Sequence, residues 1–268
     1  MSFTPPAGFT TRPLLEGSQG FAASTHWLAT AAAQAMLERG GNAFDAVVAG
    51  GFVLHIVEPH LNGPGGDLVG LFQAAGSAEP VVLMGQGPAP KGATIAHFRQ
   101  EGLDLVPGAG GLAAAVPAAV DAWLLLLRDH GTLPLREVLA PAIGIARDGH
   151  PLLAGAAATI ARVSELFRDH WPSSAAHWLP DDREPRAGDI VRNEEYAAVL
   201  DRLVEAFEAP KASDASEASD GRRARIDAAR TRWREELVTA AEFLATPHRH
   251  STGTDHAAVT SSSRHRVR

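Results

Sequence analysis

The sequence lacks cysteine and any long apolar run. Zero cysteines among 268 residues exclude a disulfide framework, a thiolate metal site and a cysteine nucleophile. No segment reaches the roughly 18 consecutive apolar residues that a membrane-spanning helix needs, so no membrane partner is predicted. The first 20 residues also lack the basic-then-apolar order of a secretory signal, and we therefore expect a cytoplasmic protein.

The chain also has fewer basic than acidic residues. The chain has 24 Lys and Arg residues against 31 Asp and Glu residues, a formal net charge of −7. Nucleic-acid binding generally requires a basic surface that displaces counterions, so we expect no nucleic-acid partner. With 45% hydrophobic residues the chain can bury a core, which excludes a wholly disordered protein.

Apolar periodicity and turn residues predict a helix-rich α+β fold. A short strand is expected at residues 19–24, followed by a helix that Ser24 caps and Gly40 and Gly41 end. Asn42 caps a second helix that runs to about Val57. Residues 68–73 and 80–84 predict a β-hairpin. Further helices are predicted at residues 116–130, 136–147, 160–167 and 194–207.

The composition changes near residue 208 and divides the chain. Residues 1–207 read as one domain, and the acidic and Ser-rich residues 208–222 are predicted to be a disordered insertion. Residues 223–247 carry an apolar stripe and are assigned as an amphipathic helix of the same domain. Residues 248–268 have no apolar pattern and are expected to form a loose tail.

A glycine-rich loop at residues 62–66 has three interpretations. A phosphate-binding loop would use a run of backbone N–H groups, but Pro64 removes one donor and Asp67 would repel a phosphate. A tight turn between a helix and a strand is the structural alternative. Glycines also let the backbone approach a substrate closely.

Other polar residues carry no specific signal. The histidines near the end, including His248 and His250, are not spaced to share a helical face, so a solvated tail is favoured over a metal site. We predict no metal and no cofactor. A carboxylate or base for catalysis could come from several residues whose spacing does not separate them from ordinary caps and loops: Asp104, Asp121, Asp148 and His150.

An ordered set of motifs nevertheless resembles the large subunit of the γ-glutamyltranspeptidase family. It begins with GGNAFDA at residues 40–46 and EPHLNGPGG at residues 58–66. It continues through GQGPAP (85–90), AVP (115–117), GTLP (131–134), LAPAI (139–143), ARDG (146–149) and GDIVRN (188–193). The likeness covers about residues 15–205 and extends more loosely to 245.

The resemblance implies a partial N-terminal-nucleophile (Ntn) hydrolase fold. Such a fold is an αββα four-layer sandwich, here without the half that the small subunit contributes. Family members are made as one precursor that cleaves itself ahead of a threonine. The freed hydroxyl attacks an amide while its own α-amine acts as the base. The implied activity is amide-directed acyl transfer or hydrolysis, with a γ-glutamyl or related small-molecule substrate and a complementing small subunit as partners.

Gln86 is the main departure within the matched motifs. The γ-glutamyl enzymes of the family carry an arginine at this position, where a planar bidentate cation holds the substrate α-carboxylate. Glutamine is neutral, so a related amidase or acylase substrate becomes credible. Gln86 is thus a candidate substrate-binding residue, and the alternative is a turn residue between Gly85 and Gly87.

The second departure concerns the nucleophile. The family threonine opens a small subunit, and the closest match to that start is Thr254 in GTDHAAV (253–259). Residues 255–268 could not supply a sheet and a pocket, so a turn is the other interpretation of Thr254. We expect a truncated chain that is inactive alone. The alternatives are the non-catalytic half of a split enzyme, a degenerate binding protein or a frameshifted gene product.

Overall fold

Helices account for most of the structure, a computed structural model that describes residues 17–108, 110–209 and 218–245. Side chains are described for residues 17–108, 110–209 and 220–237. The helices are α1 Trp27–Glu38, α2 Ala43–Val57, α3 Ile95–Gln100, α4 Ala119–His130, α5 Leu135–Asp148, α6 Ala154–Arg162, α7 Ser164–His170, α8 Pro172–Trp178, α9 Glu194–Glu208 and α10 Ala218–Ala245. The strands are β1 Leu68–Phe72, β2 Val81–Gly85, β3 His150–Pro151 and β4 Ile190–Val191.

The central helix is α2, which is apolar on nearly every face. It begins with a capping box, in which the Asn42 side chain accepts from the backbone of Asp45 and the Asp45 side chain accepts from the backbone of Asn42. The side chains of Phe52 and Val53, within α2, are fully buried. α1, α4 and α5 contact α2, so the apolar sequence of α2 is covered by other helices.

One large core joins six helices. α9 packs on α5, and α10 packs on both α9 and α4. The largest fully buried side chains of this core include Met36, Phe52, Leu124, Leu127, Leu135, Leu139, Tyr196, Leu200, Leu203 and Ile226. A second, smaller cluster around Leu152, Ala156, Ala157, Ile160 and Leu179 is completed by side chains of α7 and α8.

The strands of the described residues form two antiparallel ribbons, β1–β2 and β3–β4. β1 pairs with β2 in a register that places Val69 opposite Met84 and Leu71 opposite Val82. The other face of this hairpin is anchored by Phe72, whose ring lies 5.3 Å from that of Phe44 between centroids. β3 and β4 pair over two residues each. The predicted hairpin is therefore confirmed, with β2 extending to Gly85.

The structure corrects three local predictions. Residues 19–24 form no strand, because among the described residues no strand pairs with them, although Ala22 packs on the core. Ser24 does not cap α1; its hydroxyl donates to the backbone oxygen of His26, and His26 is the N-cap. The helix predicted over residues 160–167 is interrupted at Val163, where α6 ends and α7 begins.

The domain boundaries are only partly within the described residues. α9 ends at Glu208 and residues 210–217 lie outside the description, as do Thr254 and residues 248–268. α10 begins at Ala218, so residues 218–222 of the predicted disordered insertion are helical. No helix among the described residues is long and apolar enough to cross a membrane.

Candidate functional site

The glycine loop, which from here includes the two residues that lead into it and spans residues 60–66, is held by the end of α2 and by the segment that precedes α4. Glu58 is the residue after α2, and its backbone oxygen accepts from the N–H groups of Leu61 and Asn62 at 3.0 and 3.2 Å. The N–H of Gly66 donates to the oxygen of Gly63 at 3.0 Å, which closes a tight turn. The Asn62 side-chain amide adds bonds to backbone oxygens of Leu54 and Glu58.

Gln86 lies between two glycines that are packed against other backbone. A Cβ on Gly85 would come within 2.6 Å of the Ala122 methyl group. Gly87 has φ +77, and a Cβ there would lie 1.9 Å from the backbone oxygen of Val116, so only glycine fits. Because both neighbours are fixed against the segment 116–122, the exposed Gln86 side chain is presented from a rigid turn.

The glycine loop and the Gln86 turn meet at Ala118. The backbone oxygen of Gly66 accepts from the N–H groups of Ala118 and Ala119 at 3.3 Å each. The Cβ position of Gly87 lies 3.4 Å from the Ala118 methyl group. The first N–H groups of α4 are thus paired with a carbonyl, which removes them as phosphate donors and supports the tight-turn interpretation of the loop.

A polar cluster lies where the start of α1 meets the end of α2. We define the α1 cap cluster as the exposed Thr25 with the buried His26, Glu58 and His150. His26, Glu58 and His150 expose only 3%, 5% and 3% of their surface. The Thr25 hydroxyl donates to Glu58 Oε2 at 2.5 Å. Neither ring nitrogen of His150 has a hydrogen-bond partner among the described residues, which is costly for a buried imidazole.

Burial keeps the histidines of this region neutral. Desolvation lowers the pKa of His26, an effect that the nearby Glu58 charge partly opposes. The pKa of His150 falls to about 4, first through desolvation and then through repulsion from His26. Both imidazoles are therefore uncharged near neutral pH. A neutral imidazole can accept a hydrogen bond at one ring nitrogen and donate at the other.

The remaining sequence candidates are not gathered at this site. Asp104 and Asp148 are exposed. Asp121 forms ion pairs with Arg230 and Arg234, which join α4 to α10 and lower the pKa of the Asp121 carboxyl despite its partial burial. In the described part of the chain no group of three His, Asp or Glu residues is arranged to hold a metal ion.

The family model for γ-glutamyltranspeptidase matches residues 29–210, which include the glycine loop, the Gln86 turn and Ala118. The chain belongs to the γ-glutamyltranspeptidase family. The resemblance read from the motifs is confirmed.

Curated relatives extend this family assignment. The chain is 34% identical to the oxamate amidohydrolase proenzyme of Klebsiella pneumoniae subsp. pneumoniae, with 69% of this chain and 36% of the relative covered. It is 37% identical to the acylase ACY 1 proenzyme of Pseudomonas sp. (strain V22), with 73% of this chain and 36% of the relative covered. The chain thus spans about a third of the length of these relatives.

Solved structures show the same fold. A variant of LmbA2991 superimposes with a TM-score of 0.80 at 49% identity, covering 94% of this chain and 43% of that chain. The γ-glutamyltranspeptidase of Helicobacter pylori gives a TM-score of 0.67 at 31% identity, covering 72% and 56%. The predicted fold class, a helix-rich partial α+β Ntn-hydrolase fold, is confirmed.

The motifs pointed to Gln86 and the glycine loop but not to their common contact. Ala118 carries no chemical signal, and only the packing of two glycines against its segment reveals it. Glu58 stood inside the EPHLNGPGG motif without an assigned role, and His26 was not singled out. A buried histidine directly before a helix, with a glutamate at the end of the next helix, is the signal that could have indicated the α1 cap cluster.

Proposed function

We propose that this chain forms the N-terminal portion of an enzyme that transfers or hydrolyses an acyl group at an amide. The observation that carries the proposal is the convergence of the glycine loop and the Gln86 turn on Ala118 in a chain of this family. Backbone held this rigidly can position a substrate amide for attack by a nucleophile from another segment. The whole protein would act on a γ-glutamyl or related small-molecule amide.

The substrate preference is proposed to follow from Gln86. An exposed neutral side chain at this turn can donate and accept hydrogen bonds, but it cannot form the charge-assisted pair that an arginine makes with a carboxylate. An acyl group without an α-carboxylate is therefore favoured over a γ-glutamyl group. A relative named as an acylase supports this choice.

A complementing segment is proposed as the partner. The outer face of the β1–β2 hairpin presents four aliphatic side chains that are 57–72% exposed: Val69, Leu71, Val82 and Met84. Both strands also have an unpaired edge within the described residues. An apolar, unpaired sheet face is typical of a surface that another sheet covers. The relatives are named as proenzymes and are longer than this chain, which supports such a partner.

The complementing segment would supply the threonine nucleophile, and the 268-residue chain alone would not turn over substrate. A split enzyme, in which this chain is the non-catalytic half, is the second candidate function. The exposed hairpin face favours it over a self-sufficient binding protein, because a self-sufficient protein would cover that face. Size-exclusion chromatography would distinguish them: a clean, stable monomer opposes the split version.

The substrate proposal is tested by Gln86→Arg in the complemented enzyme. The new guanidinium should raise the ratio of γ-glutamyl to uncharged amide turnover by about 10-fold or more, since a charge-assisted hydrogen bond contributes about 1.5–3 kcal/mol. Gln100→Arg, an equal charge change at an exposed position at the end of α3, is the control. An unchanged ratio in the Gln86 variant would remove Gln86 from the substrate site.

A further inference from the structure

The start of α1 is capped by an imidazole rather than by a hydroxyl or carboxylate. The N–H of Leu28 donates to Nδ1 of His26 at 3.1 Å. A histidine can fill this role only while Nδ1 carries a lone pair, because a protonated imidazole has donors at both nitrogens. The hydrogen bond that begins α1 therefore depends on the protonation state of His26.

The same histidine is placed between a carboxylate and a second imidazole. Glu58 lies at the end of α2, and its negative charge favours protonation of His26. His150, the first residue of β3, is uncharged near neutral pH, and the two imidazoles disfavour each other's charged form. The positive end of the α1 dipole also opposes a positive charge at the N-cap. Groups on α1, α2 and β3 thus together determine whether His26 takes up a proton.

Glu58 connects this cap to the glycine loop. Its carboxylate accepts from Thr25, the residue before the cap, and its backbone oxygen accepts from Leu61 and Asn62 in the loop. If the start of α1 loosens, Thr25 moves with it and Glu58 loses its described side-chain donor. The backbone oxygen that holds the start of the glycine loop belongs to this same residue, so a change in the position of Glu58 is transmitted to Leu61 and Asn62.

We propose that His26 is a protonation-sensitive cap of α1 that couples acid pH to loosening of the glycine loop through Thr25 and Glu58. When His26 takes up a proton, Nδ1 becomes a donor and the bond from the Leu28 N–H breaks. The charged ring moves towards Glu58 and away from His150. The Thr25–Glu58 hydrogen bond is then replaced by an interaction between Glu58 and the imidazolium.

Hydrogen exchange of the full chain tests the cap directly. Protection factors, corrected for intrinsic exchange, are measured for the amides of Leu28 and Leu61 as the pH is lowered from neutral. The amide of Leu200, buried in α9, reports global unfolding. Leu28 protection should fall about 10-fold below the ordinary histidine pKa of 6.5, the size of an N-cap contribution, and Leu61 protection should fall with it while Leu200 stays protected.

Two variants separate protonation from packing. His26→Asn keeps a side-chain acceptor that does not titrate, so its Leu28 protection should not change over the same pH range. Glu58→Gln keeps an acceptor for Thr25 but removes the charge that favours the proton, so the midpoint for Leu28 should move to lower pH. The Glu58 variant and the wild-type profile remain informative if the His26 variant does not fold.

Each outcome decides a part of the proposal. Loss of Leu28 protection that is equal in wild type and in His26→Asn, or that parallels Leu200, overturns the cap. A Leu61 amide that stays protected while Leu28 opens overturns the coupling to the glycine loop. A midpoint that Glu58→Gln leaves in place overturns the role of Glu58.

Discussion

The buried carboxylate of Asp45 offers the sharpest test of why the GGNAFDA and GTLP motifs occur together. Asp45 is fully buried, and it accepts from four donors. One is the N–H of Asn42 at 3.0 Å, in its own capping box. The others are the N–H and hydroxyl of Thr132 and the N–H of Leu133, at 2.6–3.2 Å. A single side chain therefore joins the start of α2 to the turn before α5.

The isosteric change Asp45→Asn has a cost that follows from these contacts. Asparagine keeps one oxygen and turns an N–H₂ group towards donors, so about two charge-assisted hydrogen bonds are lost. Each contributes about 1.5–3 kcal/mol, so we expect the free energy of unfolding to fall by about 3–6 kcal/mol. Arg222 lies close enough for the Asp45 charge to act on it, and it would lose that interaction as well.

Urea unfolding followed by circular dichroism measures this change in the free energy of unfolding. The m-value, the slope of that free energy against urea concentration, should be the same in the variant and the wild type. Asp201→Asn is the matched control, because it removes one carboxylate charge from a partly exposed pair with Arg147 and should cost less than about 1 kcal/mol. A loss below about 1 kcal/mol for Asp45→Asn, no larger than that of the control, would refute the role of Asp45 as the connection between the two motifs.

Two further predictions concern packing and pH. In α2, a Cβ on Gly51 would lie 2.6 Å from Cζ2 of Trp123, so Gly51→Ala should destabilise the chain by about 1–3 kcal/mol in the same urea assay. Gly144 in α5 is the control, because a Cβ there meets no atom within 4 Å. Gly144→Ala should therefore stabilise the chain by up to about 1 kcal/mol. Burial lowers the pKa of His55 from 6.5 to about 3, so the unfolded chain binds a proton that the folded chain does not as the pH falls below 6.5. Because of His55, we expect the free energy of unfolding to be about 2–3 kcal/mol lower at about pH 4.5 than near neutral pH. His55→Asn, whose side chain can still form a hydrogen bond with Tyr196, should show a flatter pH profile, and parallel profiles would contradict the assignment.

Elements with strong local signals could be predicted from the sequence. The Asn42 cap, the apolar run to Val57 and the two apolar segments of the hairpin each specify a local conformation that the structure confirms. The strand expected at residues 19–24 failed for a non-local reason. An extended segment becomes a strand only when another strand pairs with it, and sequence periodicity does not show partners.

The motifs indicated residues of the candidate site but not how they are assembled. Gln86 was indicated because it stands where the family carries an arginine and the loop because of its glycines, whereas Ala118, which both segments contact, is unremarkable in sequence. His26 and His150 are both buried and act on each other electrostatically. They lie more than a hundred positions apart, so no local pattern reveals the α1 cap cluster.

The central proposal is that this chain forms the N-terminal portion of an amide-directed acyl-transfer enzyme and requires a complementing segment. The most direct measurement is amide turnover by the 268-residue chain alone and after mixing with the part of LmbA2991 that it does not cover, with γ-glutamyl and uncharged anilides as substrates. We predict no turnover by the chain alone and turnover by the mixture, greater for the uncharged anilide. Turnover by the chain alone would contradict the requirement for a complement, and a mixture that folds together without turnover would contradict the enzymatic assignment.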